Sequence, residues 1–207
     1  MSERVPLLTA KVYWDAGSLD MDLSQGLRGL DQLSRQTDSI EMIEESRLIK
    51  LEEKAKPYID WRTRYKFGLD ADLNFILTRR RILPNVQTEH LLRKDSNRVV
   101  GGLAVEARRV GSRRYAFIDV GRSWHSEDVL IHEAAHLLSV IPGNFEGDPE
   151  HFGLESCLMY PKDVDIEQNR FCLDCEDQFV GNADKLRYAR YGRYTLAPNA
   201  LFNPAIM

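Results

Sequence analysis

Residues 126–140 read SEDVLIHEAAHLLSV, and a helix turning about 100° per residue leaves this segment with almost no polar face. Leu130, Ile131, Ala134, Ala135, Leu137 and Leu138 sweep out a broad apolar arc. The remaining sector holds Asp128, Val129, His132, Glu133, His136 and Ser139. A helix that is apolar around most of its circumference is buried on most sides, so the rest of the chain must supply elements that enclose it. Ser126 suits the N-cap, Glu127 and Asp128 bring negative charge to the first turn, and Pro142-Gly143 closes the segment. The pattern predicts a helix over 126–140.

The enclosing elements are legible in part. Residues 7–14 have the β-rich character of a strand, and Leu23, Leu27, Leu30 and Leu33 follow at close to helical period. Residues 39–46 alternate imperfectly and read as a second strand, and 48–65 as a helix broken at Pro57. Residues 73–83 read as one strand ended by Pro84-Asn85, and 99–110 with 113–120 as a hairpin around Gly111-Ser112. Residues 175–191 suggest a last helix, and 195–207 have little periodicity. No internal repeat or linker-like shift in composition interrupts the chain. With 207 residues, 43% hydrophobic and 29% charged, it is long enough to bury a substantial core and is neither disordered nor fibrous in composition. We expect one domain over 1–207, with an N-terminal sheet-and-helix lobe over 1–140 and a C-terminal lobe over 141–207.

A formal charge of −4 gives no global attraction to nucleic acid. The first thirty residues lack a basic stretch followed by an apolar run, and no window approaches eighteen consecutive apolar residues. A cytoplasmic protein with no membrane attachment is the expectation. Cys157, Cys172 and Cys175 all fall in the last quarter. An odd count containing a C-x-x-C pair reads as metal binding or as packing, not as a disulfide framework.

His132 and His136 lie one helical turn apart, so their imidazoles can meet one ion, and Glu133 beside them can reach a bound water without taking up the metal. The plain alternative is a structural pair. Two histidines leave zinc short of a third protein ligand. The next histidine is His151, beyond a loop whose Glu146, Asp148 and Glu150 are rival ligands, since oxygen also binds zinc.

The sequence HEAAH, then His151, then Met159 eight residues on within Cys157-Leu158-Met159-Tyr160-Pro161, resembles the metzincin clan of zinc peptidases. Within it the chain is most similar to archaemetzincins, with the methionine turn written LMYP as matrixins write it. The resemblance is specific over residues 131–175 and looser upstream. It implies an α+β fold: a twisted mixed β-sheet with an active-site helix, and a smaller, irregular and helical C-terminal lobe. It implies His132, His136 and His151 as ligands of a catalytic Zn2+, Glu133 as general base and Met159 as the support beneath the metal. Gly102, Leu103 and Ala104 would form the substrate-binding edge strand, with Tyr160 and Pro161 lining the specificity pocket. Archaemetzincins hold a second, structural zinc on cysteines, which implies that role for Cys157, Cys172 and Cys175.

The chain departs from the pattern at three places. Ser139 stands where metzincins place glycine, Pro142 where they place the third histidine, and Phe152 where archaemetzincins place the first structural cysteine. His151 therefore arrives nine residues late.

Three arginine clusters, at 79–81, 108–109 and 113–114, and the YARYGRY stretch could hold DNA or an acidic partner. Their plainer readings are a solvated sheet face balanced by acids, and a helix end packed on the core. The expected function is hydrolysis of a peptide or protein by a metal-activated water. The alternative is a metzincin-fold binding module, weakly active or inactive, recruited to a partner through the arginines.

Overall fold

A computed structural model describes residues 5–15, 24–49, 58–59, 68–83, 101–105, 114–120, 126–140, 157–159 and 171–190. Its strands are β1 (Leu8–Asp15), β2 (Ile40–Ile49), β3 (Tyr58–Ile59), β4 (Leu73–Thr78), β5 (Arg81–Ile82), β6 (Gly102–Val105) and β7 (Arg114–Asp119). Its helices are α1 (Ser24–Gln36), α2 (Ser126–Leu137) and α3 (Leu173–Arg190). Five strands form one sheet in the order β2-β1-β4-β7-β6, and β3 pairs with β5 in a short second one. The first four strands of the main sheet run parallel, and β6 closes one edge antiparallel to β7.

β4 lies in the middle, and all of LNFILT is buried, as expected of a central strand covered on both faces. Leu73, Phe75 and Leu77 join Leu8, Ala10 and Val12 of β1 and Ala116 and Ile118 of β7 on the face covered by the helices. The alternate residues Tyr13, Ile76 and Phe117 face the other way, with Leu103, Ile59, Leu69 and Ile82. The period of two therefore sorts each strand between two cores. Asn74, fully buried, donates to Ala71 O and Arg114 O at 2.9 Å each, which ties the start of β4 to β7.

Three sequence expectations are corrected. Residues 48 and 49 continue β2, and Tyr58–Ile59 is a strand, so no helix runs through 48–65 among the described residues. Pairing with β5 decides the conformation of these two residues. The strand expected over 73–83 is two, β4 and β5, because Arg80 N–H turns back to Thr78 Oγ1 at 3.1 Å. Asp15 fixes that bend, accepting from Arg80 Nε at 2.6 Å and Thr78 Oγ1 at 3.2 Å. The helix over 126–140 stops at Leu137, well before Pro142-Gly143.

α3 is anchored to the start of the sheet by polar contacts. Ser39 Oγ donates to Asp184, and Arg187 Nε donates to Pro6 O at 2.9 Å. Arg190 pairs with Asp72, a buried carboxylate that also accepts from Thr9 N–H at 2.9 Å. Arg80, Arg187 and Arg190 are thus engaged with the fold itself. Arg108, Arg109 and Arg113 lie outside the described residues, as do Tyr191, Arg193 and Tyr194. Among the described residues, no helix is long and apolar enough to cross a membrane.

Candidate active site

α2 lies against β6, β7 and α1, with Leu130, Ile131, Ala134, Ala135 and Leu137 in the core as its apolar arc requires. Its far end is closed by a Schellman turn. Ser139 N–H donates to His136 O at 2.9 Å and Val140 N–H to Ala135 O at 2.9 Å, while Ser139 takes φ 57°. This left-handed conformation is the one glycine usually supplies at a helix end. Here a serine makes the turn that glycine usually makes. Asn182 of α3 donates to Ser139 O at 3.1 Å, and Arg114 donates to Leu137 O.

The two histidines meet. His132 Nε2 and His136 Nε2 are 3.1 Å apart, with ring centroids separated by 4.7 Å. Zinc–nitrogen bonds of about 2.0–2.1 Å at a tetrahedral angle would set two ligand nitrogens roughly 3.3 Å apart. The pair therefore fits a shared ion to within a few tenths of an ångström. His132 Nδ1 lies 2.8 Å from Leu158 O. A carbonyl only accepts, so Nδ1 carries the hydrogen and Nε2 of the neutral ring is left as a lone pair, the tautomer a metal needs.

Glu133 is turned to the sheet edge. It is buried and accepts from Ala104 N–H of β6, and burial, opposed by that one donor, pushes its carboxyl up to about 8. The contact uses an outward group of the strand. Asp119 N–H donates to Gly101 O at 2.7 Å, so the next bonded pair is Leu103 with Phe117, and Ala104 N–H points away from β7. Gly102 permits the arrangement: a Cβ built there would lie 2.6 Å from Glu133 Cδ and closer still to Oε1.

A second group of donors lies beside the first. The sulfurs of Cys157, Cys172 and Cys175 all fall within 4.8 Å of one another, and Cys172 N–H donates to Cys157 Sγ at 3.4 Å. Donation from the Cys175 thiol, and from the backbone N–H groups of Cys172 and Met159, pulls the Cys157 thiol down to about 5, against the opposing effect of burial. The same Cys157 contact, together with burial, pushes Cys175 up. One thiolate stabilised among two further sulfurs suits a soft cation. Tetrahedral Zn–S bonds of about 2.3 Å would need sulfurs roughly 3.8 Å apart, a contraction of no more than about an ångström.

Of the residues singled out in the sequence, the structure brings together His132, His136 and Glu133 with Gly102 and Ala104 of β6, and it gathers the three cysteines. Leu103 points into the opposite core and its N–H and C=O face Phe117 of β7, so it offers the outer edge neither side chain nor main-chain group. Met159 is fully buried beside Leu158. His151, Tyr160 and Pro161 lie outside the described residues, as do Glu146, Asp148, Glu150 and Phe152. Sequence reasoning missed Leu158, whose contribution is a backbone carbonyl and so leaves no trace in residue type. It also missed Asn182, an ordinary polar position on α3.

No protein-family model and no curated protein matches the sequence. Among solved structures the chain is similar to the crystal structure of archaemetzincin from Methanopyrus kandleri, with a TM-score of 0.60 and 16% identity. The match covers 89% of this chain and 99% of that chain. Identity this low carries the fold alone. Among the described residues, the mixed, mostly parallel five-stranded sheet and three helices make an archaemetzincin-like fold.

Proposed function

We propose that the chain is a zinc-dependent peptidase of metzincin type. One observation carries the reading: two imidazole nitrogens 3.1 Å apart on a helix whose intervening glutamate is packed against the edge strand. His132, His136 and His151 would hold the catalytic ion, with Met159 packed beneath it, and Cys157, Cys172 and Cys175 a second, structural one. Zinc, when bound, supplies Lewis acidity and lowers the pKa of a water to about 7.

Glu133 is the general base, taking the proton of the attacking water and returning it to the leaving amine. The substrate is an extended peptide or protein segment that pairs antiparallel with β6 through the outward groups of Gly102 and the carbonyl of Ala104, whose N–H is held by Glu133. Tyr160 and Pro161 would line the pocket that receives a side chain. We place this activity in the cytoplasm, and nothing in the proposal requires nucleic acid.

The test compares wild type, Glu133→Gln and His151→Ala by elemental analysis of zinc and by mass spectrometry of a peptide library. Glu133→Gln keeps its zinc and loses turnover by at least about 100-fold, and His151→Ala loses one equivalent of zinc. Equal turnover in wild type and Glu133→Gln would overturn the peptidase reading and favour the binding module. Full zinc in His151→Ala would move the third ligand to Glu146, Asp148 or Glu150.

A further inference from the structure

Residues 157–159 connect the two groups of donors. Leu158 O accepts from His132 Nδ1 at 2.8 Å, and its neighbour Cys157 is one of three sulfurs within 4.8 Å. Cys157 and Met159 are fully buried and Leu158 nearly so, so in a close-packed interior this turn moves only if its surroundings move. α3 carries Cys175 and sits just beyond Cys172, which donates to Cys157 Sγ at 3.4 Å. The same helix reaches the other end of the histidine pair through Asn182, whose amide donates to Ser139 O at 3.1 Å, three residues past His136. α3 and the turn thus hold α2 at both ends of the pair.

We infer that the two donor groups are energetically coupled: a soft divalent cation on Cys157, Cys172 and Cys175 raises the affinity of His132 and His136 for their own metal ion. The inference rests on the metal reading of the histidine pair proposed above. Leu158 is the positioning residue, acting through His132. A cation drawing the three sulfurs together fixes Cys157 against Cys172 and Cys175, and with it the direction of the Leu158 carbonyl. That carbonyl holds the His132 ring and selects the tautomer whose Nε2 is a lone pair. Outer partners of this kind are typically worth about 10- to 100-fold in metal affinity. Coupling between binding sites is reciprocal, so metal on the histidines tightens the sulfur site by the same factor.

The full chain, freed of metal and labelled at histidine, provides the test. One equivalent of Cd2+ is directed to the sulfurs and followed by its sulfur-to-metal charge-transfer absorption. Co2+ is then titrated and its arrival at the His132 and His136 rings read from paramagnetic shifts in NMR spectra. Cadmium-loaded protein is expected to bind Co2+ at the histidines at least about 10-fold more tightly than cadmium-free protein. Cys172→Ser, which alters the half-buried member of the group, removes the enhancement. Should that variant fail to fold, the wild-type comparison with and without Cd2+ decides alone. Equal Co2+ affinity in the two states overturns the coupling and leaves the metal reading standing, as does a first equivalent of Cd2+ that gives no thiolate band. Co2+ that never reaches the histidine rings in either state overturns both.

Discussion

Glu133 occupies the space that a side chain at residue 102 would need, since a Cβ on Gly102 would lie 2.6 Å from Glu133 Cδ. The glycine therefore belongs to the machinery of the site although it contributes no functional group. Gly102→Ala must push the buried carboxylate outward or displace β6. Misplacing a catalytic group by about an ångström costs on the order of 100-fold. We expect a fall of roughly that size in kcat/KM on a peptide substrate, with the zinc content of the protein unchanged. A variant with wild-type turnover would show that the carboxylate finds another productive position.

The position of Glu133 also sets a pH dependence of folding in metal-free protein. Burial raises its folded pKa to about 8, against an ordinary value near 4.3 in the unfolded chain. Below the unfolded value both states are protonated and stability is full. As pH rises the unfolded chain ionises first, so stability falls until pH passes the folded value and then levels off. The loss is on the order of a few kcal/mol. Cys157 and Cys175 titrate as well, so the measurement is a difference: urea unfolding of wild type and Glu133→Gln across pH 4 to 9 in the presence of chelator. Wild type should lose more stability than the variant over that range. Parallel pH profiles would mean that Glu133 is hydrated in the folded protein.

Ser139 takes a backbone conformation that costs a residue with a Cβ roughly 1 kcal/mol and glycine little. Its φ is 57°, and the bond it receives from Asn182 goes to the carbonyl, which glycine also has. Ser139→Gly should accordingly stabilise the fold by up to about 1 kcal/mol, read as an upward shift in thermal midpoint with metal content unchanged. A lower midpoint would mean that the serine hydroxyl makes a contact worth more than the backbone cost.

Side-chain chemistry repeated along the chain is what made the sequence readable. The broad apolar arc of 126–138 requires a buried helix whatever surrounds it, and HEAAH fixes which groups share its one polar sector. The leucines of α1, the largely apolar run of β4 and the strands β6 and β7 were legible for the same reason, because local pattern and burial agree there; the turn expected at Gly111-Ser112 lies outside the described residues.

The tertiary structure decided what pattern leaves open. Tyr58–Ile59 is a strand only because β5 lies beside it, and residues 73–83 divide because Asp15, distant in sequence, fixes the bend at Thr78 and Arg80. Pairing partners far along the chain outweigh short-range propensity in such short segments. Metal-ligand residue types alone, once the helix is granted, set His132 beside His136. The tautomer of His132 comes instead from a main-chain carbonyl at Leu158, and the room for Glu133 from the missing side chain of Gly102. Neither a carbonyl nor an absent methyl is encoded as chemistry in a residue's name, so only the folded arrangement could assign them.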